Sequence, residues 1–158
     1  MPDFDDLFVL VAVLLFFTGV LPLIGTIILV LARTWGKAAT AQQKDGSVHV
    51  PLIASQIAVR GLPWLVWTFN FWTPKLTLHA DALEWRVFRL QRRTYAEIAR
   101  VGYSNIMGMQ NVIIDFPDRR WSFQPWVPNR KGAQELIRQL QNHGCALSPR
   151  AARLLRSS

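Results

Sequence analysis

The sequence predicts a membrane-anchored α+β protein: one N-terminal transmembrane helix, then an antiparallel β barrel or sheet with a C-terminal amphipathic helix. Three observations predict it. An uncharged run of 26 residues extends from Leu7 to Ala32. Apolar and polar residues alternate with period two from Lys75 onward. Ala133, Leu136, Ile137 and Leu140 then fall at helical spacing.

The uncharged run comes first in the chain. About 20 apolar residues cross a hydrocarbon core of roughly 30 Å, so the run is long enough to span. A helix apolar on every side must also be buried on every side, and the rest of a 158-residue chain is too small to enclose it. Asp3, Asp5 and Asp6 precede the run with no Lys or Arg among them. All 18 basic residues follow it with seven of the ten acids, so the segment from Arg33 onward carries +11. Basic residues near a span end mark its cytoplasmic side. The expected topology is therefore a single pass of the cell's inner (plasma) membrane, with residues 1–6 outside and the C-terminal domain in the cytoplasm. A cleaved signal peptide fits less well, because the preceding segment is acidic and the run exceeds the roughly 7–15 residues of such a core.

Pro22 predicts a kink in the span, since it removes a backbone hydrogen bond and crowds the carbonyl of Thr18. Thr18, Pro22, Gly25 and Thr26 share one helical face. Small residues on a face let a second helix approach closely, so these four are the expected helix-contact face. Residues 33–48 form a polar linker in which Trp35 and Lys37 suit the interfacial zone and Asp45-Gly46 signals a turn.

Residues 49–74 are a second apolar stretch, open to three readings: a core strand, an interfacial segment or a second span. Arg60 near its middle, beside Gly61 and Pro63, argues against the span. Its aromatics, with Trp64, Trp67 and Trp72 as the expected interface, suit a membrane or protein surface. They equally suit the core of a small β domain.

From Lys75, Leu76 and Leu78 alternate with polar residues, His79-Ala80-Asp81-Ala82 reads as a turn, and Leu83, Trp85 and Val87 alternate again. This is the pattern of a hairpin. Further strands are expected at 92–95, from Val101, at 112–116 and around Trp121 and Phe123, with 105–111 as a Gly-containing loop. Asn129 caps the expected helix and Gly144 stops it. The basic tail 145–158, with Arg150, Arg153 and Arg156 three residues apart, is either a short helix or disordered.

The phrases LTLHADALEWR, RRTYAEIARV, NVIIDFPDRRWSFQP and NRKGAQELIRQLQNHG follow one another over residues 75–144, about half the chain. They resemble the bacterial pleckstrin-homology-like (PH-like) domains attached to membrane spans. Tyr95, Ile98 and Val101 match that family's turn after a short strand pair. The resemblance implies a barrel of about seven strands closed by a C-terminal helix, with the missing strands drawn from residues 48–72. It departs from inositide-binding members at the first hairpin loop, where only Lys75 and Arg86 flank the turn.

No Gly-rich phosphate loop, HExxH, CxxC or GxSxG occurs, and no catalytic residue, cofactor or metal set is expected. One cysteine and three histidines make no recognisable ligand set. His79 with Asp81 is the nearest thing to an acid–base pair, and both sit in a predicted turn, where Asp is common for its backbone bonding. Arg89, Arg92, Arg93, Arg100, Arg119 and Arg120 form an expected basic patch suited to anionic lipid or an acidic protein. The expected function is a non-enzymatic scaffold or accessory subunit of a larger membrane complex. The alternative is an anionic-lipid or signal-sensing module. The expected partners are membrane lipid and another membrane protein, and not nucleic acid.

Overall fold

The computed structural model describes residues 41–42, 46–106 and 108–157. The predicted span, and with it Thr18, Pro22, Gly25 and Thr26, lies outside the described residues. No helix among the described residues is long and apolar enough to cross a membrane.

Ten strands precede two helices in this part of the chain. They are β1 (Ala41–Gln42), β2 (Val48–His49), β3 (Ala54–Val59), β4 (Leu62–Asn70), β5 (Lys75–Leu78), β6 (Ala82–Arg86), β7 (Leu90–Thr94), β8 (Arg100–Ile106), β9 (Met109–Asp115) and β10 (Trp121–Val127), followed by α1 (Arg130–Asn142) and α2 (Pro149–Arg156). The strands build two antiparallel five-stranded sheets, in the orders β1-β2-β5-β6-β7 and β4-β3-β10-β9-β8. Among the described residues neither sheet closes on itself. The barrel expectation is corrected to two open sheets that share one core.

In the first sheet β5, β6 and β7 form a meander, and the apolar residues of the predicted alternation are buried, with Thr77 buried between them. Leu76 pairs with Trp85 and Leu78 with Leu83. All four are buried. The predicted turn is closed by the His79 amide donating to the Ala82 carbonyl at 2.8 Å. The Lys75 ammonium donates to Glu84 at 2.7 Å on the outer face. That bond holds the Glu84 carboxyl below its usual range, with burial opposing. β7 begins at Leu90, and the turn after it is a 3-10 turn, Tyr95–Glu97, closed by the Thr94 amide and hydroxyl, which donate to the Glu97 carboxylate at 2.9 and 3.0 Å. β1 and β2 join the same sheet, so part of the predicted polar linker is strand.

The second sheet contains residues whose pattern the sequence leaves ambiguous. The stretch 49–74 holds a hairpin, β3–β4, as the strand reading expects, rather than a spanning helix. Arg60 and Gly61 form its turn, and Gly61 has φ +84°. That value is open to glycine and costly for a residue with a Cβ. The expected loop 105–111 is instead two strands running almost to the turn, with Ile106 paired to Met109. Gly108, also at φ +84°, lets a two-residue connection suffice.

The core lies between the sheets. Trp85 is fully buried and stacks on Phe116 and Phe123, both at 5.2 Å. Phe123 faces the core as predicted, whereas Trp121 is only partly buried. α1 contributes Ala133, Leu136, Ile137 and Leu140, the predicted face. Its cap is also as predicted: the Asn129 side chain accepts from the Gly132 amide at 2.8 Å. Past α1, Gly144 has φ +83°.

The tail is ordered into helix. Ser148 caps α2, Pro149 starts it, and Ala151 and Leu154 are buried. The approach to α2 is pinned to β8 on both sides of one residue. The Val101 amide donates to Ala146, and the Ser148 amide donates to Val101, each at 2.8 Å.

Candidate docking surface

β4 is the outer strand of its sheet, and several of its apolar residues are exposed. Leu62, Leu65, Val66, Phe71 and Trp72 are exposed, and so is Trp67. The exposure of Trp67 has a local cause. Ile57 pairs with Thr68, and the next residue, Ala58, pairs with Val66. Trp67 is thus the extra residue of a bulge, a device that re-aims a side chain out of the regular alternation. Trp67 is 81 % exposed and Trp72 is 94 % exposed. The reading in which these two rings fill a β core is thereby overturned. The Trp64 side chain lies outside the described part of the molecule.

Asn70 fixes the far end of this surface. Its amide nitrogen donates to the Val87 carbonyl at 2.6 Å. Its amide oxygen accepts from the Trp72 and Thr73 main chain at 3.0 and 3.2 Å. One side chain therefore shapes the turn that displays Trp72 and ties it to the first sheet beside Phe88, itself 72 % exposed. Phe69 lies half-buried beneath, with its ring 3.9 Å from Phe71 and edge-on to Trp126 at 5.6 Å. The aromatic surface is anchored by hydrogen bonds and ring packing at one end and bulged at its middle.

The six arginines expected as a basic patch are not gathered into one. Arg92 pairs with Asp81 at 2.9 Å. Arg93 reaches Glu97 at 2.6 Å and Asp118 at 3.2 Å. Arg100 pairs with the buried Asp115 at 2.9 Å. Arg119 lies 3.3 Å from Asp118 and over the Trp121 ring at 5.6 Å. Of these six, only Arg89 and Arg120 make no ion pair among the described residues. Arg92 and Arg93 are successive strand residues and so point to opposite faces. The hydrogen bond from Arg93, then those from Thr94, hold the Glu97 carboxyl below its usual range.

The polar groups that sequence reading weighed for chemistry are engaged elsewhere. Asp81 takes Arg92 rather than His79, whose Nε2 lies 3.8 Å from Glu84. Cys145 is buried, and burial pushes its thiol up to about 11. Among the described residues no three His, Cys, Asp or Glu side chains come together as a metal site would need.

Sequence reading missed a second basic cluster. Arg100, Arg130, Arg150 and Arg153 line a groove between β8 and α2. The spacing of Arg150 and Arg153 is visible in the sequence, but their meeting with Arg100 depends on the pinning of 146–148 to β8. No family model matches the chain, and no curated protein matches it, so the functional reading is carried by these surfaces.

Proposed function

We propose that this chain is a non-enzymatic, single-span membrane protein that serves as an accessory subunit or scaffold of a larger membrane complex, docking another membrane protein through the aromatic surface of β4. The observation that carries the proposal is the exposure of Trp67 on an outer strand and of Trp72 in the turn that follows it, with Leu65, Val66 and Phe71 exposed in the same stretch of chain. Leaving large rings in water forfeits their burial energy. A contiguous apolar surface of this kind marks an interaction site, and Trp is enriched at the residues that carry binding energy. The span and the cytoplasmic placement belong to the same proposal and rest on the uncharged run and the charge asymmetry. The PH-like assignment does too, supported by two antiparallel sheets over one core with an amphipathic helix closing it.

The test uses the full chain extracted from its own membrane in mild detergent. Wild type should retain a stoichiometric partner that itself needs detergent for extraction. Trp67→Ala and Trp72→Ala should each lose it while the circular dichroism of the domain stays unchanged, and Arg89→Ser should keep it. Retention of every partner by both Trp variants would defeat the docking surface.

A further inference from the structure

We propose that the groove between β8 and α2 is a binding site for a phosphate group, borne either by a soluble phosphate compound or by a phospholipid headgroup. The site does not rest on the aromatic docking surface. Arg100, Arg130, Arg150 and Arg153 line two contiguous hollows of about 470 and 380 Å³ that share Tyr103, Ser104, Arg150 and Arg153.

The charge in this groove is unbalanced. Its one carboxylate, Asp115, is already satisfied: Oδ2 takes Arg100 at 2.9 Å and Oδ1 accepts the Ser122 hydroxyl at 2.6 Å. Arg150 and Arg153 make no ion pair among the described residues, and Arg130 donates only to the Ser157 hydroxyl there. Guanidinium groups brought together without counter-charge repel one another. A bound dianion reverses that sign, and the guanidinium fork suits phosphate oxygens two at a time.

Both helices also begin against the usual preference. α1 opens on Arg130 and α2 carries Arg150 in its first turn, and neither first turn holds an acid. A cation there opposes the helix dipole, and an anion beside Arg150 satisfies both at the start of α2; the start of α1 lies at the other end of α2, where Arg130 meets Ser157.

The strand supplies neutral donors to the same place. The Val101 amide points outward from its sheet, since it donates to Ala146. Along a strand every second amide points the same way, so the amides of Tyr103 and Asn105 face the groove side beyond the pinned segment. Ser104 lines both hollows as a residue, and its hydroxyl oxygen, closed off from solvent, has no hydrogen-bond partner among the described residues.

Calorimetric titration of the full chain in uncharged detergent with inorganic phosphate tests the site. Saturable one-to-one binding is expected. The double variant Arg150→Ser/Arg153→Ser should weaken it about tenfold or more, because charge-assisted hydrogen bonds are lost. Arg89→Ser/Arg156→Ser removes the same charge from exposed positions outside the groove and should leave the affinity unchanged. Unsaturable binding, or equal weakening by the two double variants, overturns the proposal.

The source of the phosphate is read by repeating the titration in nanodiscs. Phosphatidylcholine discs are compared with an equimolar mixture of phosphatidylcholine and phosphatidylglycerol. Loss of the phosphate isotherm only in the mixed discs assigns the groove to an anionic headgroup. An isotherm unchanged between the two assigns it to a soluble phosphate compound.

Discussion

Replacing Trp85 by alanine removes the ring on which Phe116 and Phe123 both stack. A tryptophan buries up to about 250 Å², which at about 25 cal/mol per Å² gives an upper bound near 6 kcal/mol. The unfolded chain already hides part of that area, and discounting it leaves about 4 kcal/mol. Two lost ring pairs add about 0.5–1.5 kcal/mol each. Against this, the Trp85 indole N–H is buried without a partner, and its removal returns about 1–3 kcal/mol. The net is a loss of about 3–5 kcal/mol, a large part of a domain's roughly 5–15 kcal/mol. Trp67→Ala removes the same side chain from an 81 % exposed position and should cost less than about 0.5 kcal/mol. Urea unfolding of the full chain in one detergent, followed by far-ultraviolet circular dichroism, compares the two directly. A Trp85→Ala loss below about 1 kcal/mol, or a Trp67→Ala loss equal to it, would refute the division of the rings into core and surface.

Leu140→Asp should leave the domain unfolded at ambient temperature by the same circular dichroism, since it buries a carboxylate among Leu136, Ile137 and the sheet residues. Gln124→Leu should cost about 2–4 kcal/mol in urea unfolding. The Gln124 oxygen accepts from Gln56 at 2.8 Å and from Asn111 at 2.9 Å, and both buried amides lose their partner. Cys145 should resist thiol reagents at pH 8 and react once the chain is unfolded. Its folded pKa is raised by burial to about 11, so its contribution to stability is full below the unfolded value of about 8.5. That contribution declines as pH rises through that value toward 11. Stability measured against pH should therefore slope downward over that window, and Cys145→Ala should lessen the slope.

The elements legible in the sequence are those with one wet face. β5 and β6 alternate because their outer side carries Lys75, Glu84 and Arg86, and α1 shows its stripe because its other side is charged. β3 defeats the same reading: Ala54, Ser55, Gln56 and Ala58 are all buried, so neither face announces itself. β4 is obscure for the opposite reason, because it leaves apolar residues exposed. The turn at Gly108 was hidden by flanking residues that read equally well as loop. Three of the six arginines in the expected patch, Arg92, Arg93 and Arg100, meet carboxylates that are distant in sequence or across a turn, and no linear reading pairs Arg93 with Asp118 or Arg100 with Asp115. The groove was illegible on the same ground, since its two sides are about fifty positions apart.

The pinning of residues 146–148 to Val101 also decides where the second sheet can be extended. On one side, α2 and its leading segment stand over the outer row of β8, and a foreign strand has no continuous run of main-chain groups to meet. β4 is the other boundary, and the bulge at Trp67 breaks its rhythm. An extended peptide laid along β4 finds regular spacing only toward Thr68–Asn70, while nearer Leu62 its own repeat falls out of step. Growth of the sheet by strand addition is thus confined to a stub of three residues. Contact with this side of the molecule therefore falls mainly to side chains rather than to strand pairing.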